Sequence, residues 1–164
     1  MTIPSSFWTI AAIIIAAVLL LFGFTALRPE PVSSEASPLL TLVEDDYKKG
    51  AEAGKVVLVE YLDFECEACG AFYPVVKQME EEFGDRVTFV ARYFPLQGHK
   101  NGLLAALAAE AAGRQGKFWE MHDLLLERQK VWGEKQVPTP EVFEGFAQEL
   151  GLNMEQFKAD VASA

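Results

Sequence analysis

From Phe7 to Leu27 the chain runs for 21 residues without a charge, and beyond it short apolar stretches are set among charged ones. A helix rising 1.5 Å per residue over that run spans the ~30 Å hydrocarbon core of a bilayer. The pattern therefore predicts an N-terminal membrane anchor or signal segment over residues 1–28. A cleaved signal carries a shorter apolar stretch, about 7–15 residues, and small residues at its exit. Phe24, Thr25 and Ala26 do not supply them at both places, which favours a retained anchor. No Lys or Arg precedes the run and Arg28 follows it, so flanking charge does not set its orientation. Residues 29–40 include Pro29, Pro31, Ser33, Ser34 and Ser37 and predict an exposed linker.

Lys55 to Leu62 is an almost unbroken, β-branched apolar run, which predicts a central strand covered on both faces. Just past Cys66 the period changes. Cys69, Phe72, Val76, Met79 and Phe83 recur at helical spacing and predict one apolar stripe packed on a sheet. Pro74 should kink that helix, and Gly84-Asp85 should end it. Val87 to Tyr93 alternates as a second strand. Strand, crossover helix and strand make a parallel βαβ unit within residues 41–97. Residues 98–164 then read as helical throughout. Leu103–Ala112 is rich in Ala and Leu, and the next segment places Phe118, Met121 and Leu125 on one face. Thr139 with Pro140 marks a helix start, Gly151 its end, and Asn153 with Gln156 a capping box for a last helix.

Composition narrows the function. Hydrophobic residues make up 51% of the chain, enough for a packed core. A formal charge of −10 and the lack of a basic stretch argue against nucleic acid as a partner. Two cysteines are too few to staple a scaffold, and a disulfide across C-x-x-C closes too short a loop to constrain the unfolded chain much. A structural zinc site needs four ligands; beyond the two cysteines only His99 and His122 remain, and both are read as structural. Haem attachment needs His after the second Cys, where Gly70 stands. No metal and no cofactor is expected beyond a redox-active Cys66–Cys69 disulfide.

The remaining explanation is thiol chemistry. A strand leading into Cys66-Glu67-Ala68-Cys69 at a helix start puts Cys66 where unpaired N–H groups and the macrodipole favour a negative sulfur. Cys69, one turn in and on the apolar stripe, is expected to be the buried partner that resolves a mixed disulfide formed at Cys66. Glu60, a carboxylate within an apolar strand, should hold its proton more tightly through burial and could exchange it with Cys69. Glu67 and Ala68, between the cysteines, bear on the redox poise. The charge of Glu67, with Asp63 and Glu65 adding to it, opposes the thiolate and argues for a less strongly oxidising disulfide.

The segment Val59 to Cys69 resembles the active-site stretch of DsbA-type thiol:disulfide oxidoreductases, in their membrane-tethered subgroup. Arg92 to Leu96 followed by His99, and Gln115 to Asp123, resemble two further stretches of that family, and Pro74 matches its helix proline. The resemblance implies an α/β thioredoxin-like fold with an inserted all-helical subdomain. It also implies a buried acid at Glu60, and disulfides introduced into reduced or unfolded secreted proteins. A quinone-linked membrane oxidase as redox partner is a further implication, as is a bacterial cell-membrane location with the body on the extracytoplasmic side. Family members continue beyond the insertion with a cis-proline loop, two antiparallel strands and a helix. The sequence reaches Ala164 before any such pattern, so the expectation is a partial chain, poorly stable and weakly active by itself. Two other roles stay open: a tethered reductase or isomerase, favoured by Glu67, and a non-enzymatic membrane-bound binding module.

Overall fold

The computed structural model describes residues 18–19, 39–52 and 56–163. The anchor expected at 7–27 lies outside them apart from Val18 and Leu19, and the linker apart from Leu39 and Leu40. Among the described residues no helix is long and apolar enough to cross a membrane. Residues from Leu42 onward form a compact unit of their own.

Three strands make its sheet: β1 (Tyr47–Gly50), β2 (Val56–Leu62) and β3 (Val87–Tyr93), in the order β1-β3-β2. Helix α1 (Glu67–Phe83) connects β2 to β3. These two strands pair in parallel from Val56 opposite Val87 to Leu62 opposite Tyr93, as the βαβ pattern predicts. β1 joins the other side of β3 antiparallel, with Tyr47 opposite Ala91. The central strand is thus β3, whose Thr88 to Ala91 are all buried. β2 lies at an edge of the described sheet, with Val56, Val57 and Tyr61 exposed. This corrects the expectation of a central strand covered on both faces: β2 is apolar enough for that place, but among the described residues it pairs with β3 alone, and Val56, Val57 and Tyr61 stay exposed.

The stripe on α1 is also corrected. Phe72 is 65% exposed and Tyr73 is the buried residue, 7% exposed. The facing row runs through Cys69, Tyr73, Val76 and Glu80, and the helix seats its aromatic through a hydroxyl that reaches Glu127 Oε1 at 3.1 Å. Apolar spacing could not separate two adjacent aromatics. A long amphipathic Tyr suits a site with an acceptor at its far end.

The helical part comprises α2 (Gly102–Gly113), α3 (Phe118–Glu127), the short α4 (Gln129–Trp132), α5 (Pro140–Glu149) and α6 (Met154–Ser163). Six alanines of α2 are buried. A helix apolar on every side belongs inside, and α2 packs against α3, α5 and α6. Met121, Leu125 and Trp132 are fully buried around it. Tyr47 ties β1 to this part by stacking on Phe118 with ring centroids 3.7 Å apart and donating to Glu110 Oε2 at 3.1 Å. Gly113 is required there, since a Cβ would run into the Tyr47 ring and hydroxyl. Thr139 and Pro140 start α5 as predicted, and Gly151 follows it at φ +70°. The last cap is half of the expected box. Asn153 Oδ1 accepts from Gln156 N at 3.1 Å, but Asn153 N–H donates to Gln115 Oε1 at 2.8 Å, a partner from another element.

Candidate active site

The chain leaves β2 at Leu62, turns through Asp63, Phe64 and Glu65, and enters α1 with Cys66 as its N-cap residue. The Cys66 N–H closes the turn on Asp63 O at 3.0 Å, and Cys66 O accepts the first helical bond from Gly70 N at 3.1 Å. The Cys66 side chain makes no capping bond, so its sulfur is not engaged in holding the helix. Both thiols are free and partly buried, and Cys69 packs against the core. Burial pushes the Cys69 thiol up, a hydrogen bond from the Asp63 backbone opposes this, and the neighbouring Cys66 and Glu60 add to the rise. A thiol held protonated suits a resolving sulfur, which must lose or gain a proton whenever the pair opens or closes.

Glu60 is half-buried on β2, two residues before Leu62 and on the same face. Burial raises its carboxyl above the usual range; Glu80 adds to that, while His122 and Lys49 oppose it. This is the environment of an acid that holds its proton more tightly than an exposed carboxyl does. The sign for stability follows. A carboxyl raised on folding contributes stability in full below its ordinary value of 4.5, and that contribution is lost as pH rises through the folded value. Glu60→Gln is therefore expected to raise Tm at pH 8 more than at pH 5, read by thermal denaturation across pH. An equal change at both pH values would contradict a raised Glu60.

Asp63 and Glu65 are not loose negative charges beside Cys66, as the sequence suggested. They are 3% and 2% exposed, and each accepts two backbone N–H bonds, Asp63 a third bond from the His99 ring. Asp63 accepts from Glu65 N at 2.8 Å, Leu96 N at 2.8 Å and His99 Nδ1 at 2.6 Å. Glu65 accepts from Asn101 N at 2.6 Å and Glu134 N at 3.1 Å. Asn101, fully buried, in turn accepts from Thr139 N at 2.7 Å. The active-site turn is thus bolted to the start of α2 and to the loops before α5. Apart from the local Asp63–Glu65 bond, no spacing rule in the sequence marks these pairings, whose partners lie 33 to 69 residues away.

Gln129, also unforeseen, donates from Nε2 to Phe64 O at 2.7 Å and to Cys66 O at 2.8 Å. Its amide lies over Gly70, where a Cβ would collide with it. Gly70→Ala should drive Gln129 off both carbonyls, costing about 1–2 kcal/mol. Urea unfolding reads this directly, and Gln129→Ala should cost a similar amount. An unchanged midpoint in both variants would show that the clamp contributes nothing.

Two open grooves flank the cysteine turn. One of about 350 Å³ is lined by Cys66, Glu67, Ala68, His99, Lys100 and Glu134 among others. The other, about 630 Å³, runs past Gly70, Tyr73, Pro74 and Glu127. Glu67 and Glu134 border both. A hydrogen bond to Glu67 and the charge of Glu67 raise the Glu134 carboxyl above its usual range. Of the two histidines read as structural, His99 stands in the groove with Cys66, while His122 is buried behind the site. Among the described residues no cluster of His, Cys, Asp or Glu could hold a metal ion.

A family model described as thioredoxin matches residues 43–164. Among solved structures, BdbD from Bacillus subtilis is similar at TM-score 0.60 and 26% identity, over 70% of this chain and 64% of that one. A thioredoxin-like oxidoreductase from Silicibacter pomeroyi is similar at TM-score 0.62 and 27% identity, over 74% and 65%. Wolbachia pipientis alpha-DsbA1, at TM-score 0.65 and 19% identity over 76% and 63%, shares the fold. Curated relatives by sequence include a Na(+)/H(+) antiporter NhaA 1 from Salinispora arenicola, 42% identical over 118 residues. Another is the Na(+)/H(+) antiporter NhaA from Herminiimonas arsenicoxydans, 38% identical over 120 residues. The match takes 71% and 73% of this chain but only 17% and 18% of those proteins.

Proposed function

The chain belongs to the thioredoxin family over residues 43–164, and from that premise we propose that it is a thiol–disulfide oxidoreductase, exchanging disulfides with client proteins through Cys66 and Cys69. The observation that carries this is the placement of the two thiols: Cys66 caps α1 beside an open groove, and Cys69 sits one turn in, against the core, with its proton held by burial. In the oxidising direction a client thiolate attacks Cys66 Sγ. The Cys66–Cys69 bond breaks, Cys69 leaves with the electron pair, and Glu60 supplies the proton that makes it a thiol. A second client thiolate then attacks the client sulfur of the mixed disulfide and expels Cys66. Two electrons pass from client to protein, and the client gains one disulfide.

Similarity to BdbD and to the oxidoreductase from Silicibacter pomeroyi supports this reading. Reduced secreted proteins as clients, a quinone-linked membrane oxidase as the source of oxidising equivalents, and a body tethered outside the bacterial membrane complete the proposal. They rest on the resemblance of Val59 to Cys69 and on the apolar run at 7–27. A second reading, reduction or isomerisation, is favoured by the negative Glu67 next to Cys66.

The equilibrium reduction potential of the pair against glutathione separates the two. A value around −120 mV marks a strong oxidant, and one around −270 mV a reductant. A pair that forms no disulfide at any glutathione ratio would refute both readings.

A further inference from the structure

A client sulfur arrives at Cys66 as a thiol and attacks as a thiolate. An ordinary cysteine, of pKa about 8.5, is only a few per cent ionised at pH 7. A proton acceptor beside Cys66 raises the attacking fraction, and the groove at Cys66 holds one.

His99 lines that groove together with Cys66, and Asp63 joins the two. The backbone oxygen of Asp63 accepts the Cys66 N–H at 3.0 Å, while its carboxylate Oδ2 accepts from His99 Nδ1 at 2.6 Å. The loop that carries the ring is tied to the same oxygen. His99 N–H donates to Leu96 O at 3.1 Å, and Leu96 N–H donates to Asp63 Oδ2 at 2.8 Å. Gly102 lies so close that a Cβ there would stand 2.7 Å from Asp63 Oδ1. The carboxylate is thus enclosed and fixed, at 3% exposure, whereas the His99 side chain is 30% exposed. With Nδ1–H committed to Asp63, the proton-accepting atom of a neutral ring is Nε2, on the opposite edge from the buried carboxylate.

We propose that His99 is the catalytic base of this groove, taking the proton of the client thiol at Nε2, and that Asp63 positions it. The proposal rests on the exchange reaction given above. The client S–H bond breaks, its proton passes to Nε2, and its electron pair stays on sulfur. That thiolate bonds to Cys66 Sγ, the Cys66–Cys69 bond breaks, and Cys69 leaves with the proton of Glu60. His99 then releases its proton to water, and Glu60 regains one from water. A second client thiol gives its proton to Nε2, and its sulfur takes the client sulfur from Cys66. Cys66 leaves with the electron pair, accepts the proton from Nε2 and ends as a thiol. At each stage the imidazolium has the Asp63 carboxylate in contact as counter-ion.

Charged groups face the ring from the turn, from α1 and from two loops. Asp63 and Glu65 come from the turn after β2, Glu67 from α1, Lys100 from the ring's own loop, and Glu134 and Lys135 from the loop before α5. Glu65 is engaged by two backbone N–H groups, and Asp63 is the one bonded to the ring. Imidazole is the side chain suited by type to exchange protons near neutral pH, and among the described residues His99 is the one imidazole lining this groove.

The test uses the full chain, oxidised at Cys66–Cys69, with an excess of a one-cysteine peptide or its selenocysteine counterpart. Opening of the disulfide is followed by acid quenching and mass spectrometry from about pH 7 to about pH 9.5, across the thiol's pKa of about 8.5. The selenol is ionised throughout and needs no base. At pH 7 the wild-type thiol rate is expected about tenfold above the value scaled by thiolate fraction from pH 9.5; the ceiling is about 30-fold, since ~3% of the thiol ionises unaided. His99→Gln, which keeps a donor for Asp63, should lose that tenfold at pH 7 and converge with wild type at high pH. With the selenol it should stay within about twofold of wild type, where a merely structural loss would slow both peptides alike. A wild-type rate that follows the thiolate fraction throughout overturns the base by itself, whatever the variant does. Equal losses with thiol and selenol in a folded His99→Gln overturn it too. Peptide disulfide is counted in the same samples. Peptide disulfide formed without dependence on His99 sinks the base and leaves the oxidoreductase reading standing. Opening that depends on His99, with adducts that never yield peptide disulfide, sinks that reading and keeps the base.

Discussion

Cys66→Ser is expected to lower the rate of disulfide exchange at least ~1,000-fold, while Cys69→Ser should allow the first attack and stop at the second. The thiolate is the attacking species, and a serine hydroxyl at the same N-cap position is almost wholly un-ionised near neutral pH. At Cys69 the consequence differs, because this sulfur packs against the core and holds its proton by burial. Without it a client disulfide is attacked by Cys66, and the mixed disulfide has no internal thiol to resolve it. Non-reducing electrophoresis with a disulfide-bearing client should therefore show covalent adducts for Cys69→Ser and none for Cys66→Ser. Adducts that form through Cys69 in the Cys66 variant would reverse the assignment of roles.

Asp63→Ala is expected to cost about 3 kcal/mol, with a Tm lower by on the order of 10 °C. Its carboxylate is the one group that satisfies Glu65 N, Leu96 N and His99 Nδ1 together. Alanine leaves two backbone donors and an imidazole without their acceptor. Asp63→Asn retains an oxygen for some of these donors and should cost less. Calorimetry of the three proteins reads the order directly. A Tm for Asp63→Ala within about 2 °C of wild type would mean that the turn is held mainly by Glu65 and Gln129.

The βαβ core was legible because its signals are local. The apolar run before Cys66 and the change of period after it locate β2 and α1, and alternation from Val87 locates β3. Helices α2, α3 and α5 announce themselves through alanine runs, an apolar face and a Thr-Pro start. What failed did so for reasons of context. Strand β1 is four residues with two lysines, and becomes a strand because β3 offers a free edge. The burial of Tyr73 in place of Phe72 depends on Glu127, which lies 54 residues away. The cysteines and Glu60 could be singled out from residue type and position alone. The scaffold that holds them, Asp63 with His99, Glu65 with Asn101 and Glu134, and Gln129 over Gly70, comes from contacts between distant segments. Spacing along the chain carries no record of such contacts. Near Cys66 the sequence adds Asp63 and Glu65 to the charge of Glu67, whereas the fold turns both inward onto N–H donors and leaves Glu67 exposed at the groove.

Whether Cys66 and Cys69 form a working redox pair is read from the transfer of oxidising equivalents to a client. The full chain, oxidised and freed of oxidant, is mixed with a reduced two-cysteine client, and protein thiols and client disulfides are counted over time. The expected result is one client disulfide for each Cys66–Cys69 dithiol formed, by way of a client adduct on Cys66. Client thiols that stay reduced while the Cys66–Cys69 disulfide stays intact, across client potentials on both sides of the pair, would contradict it.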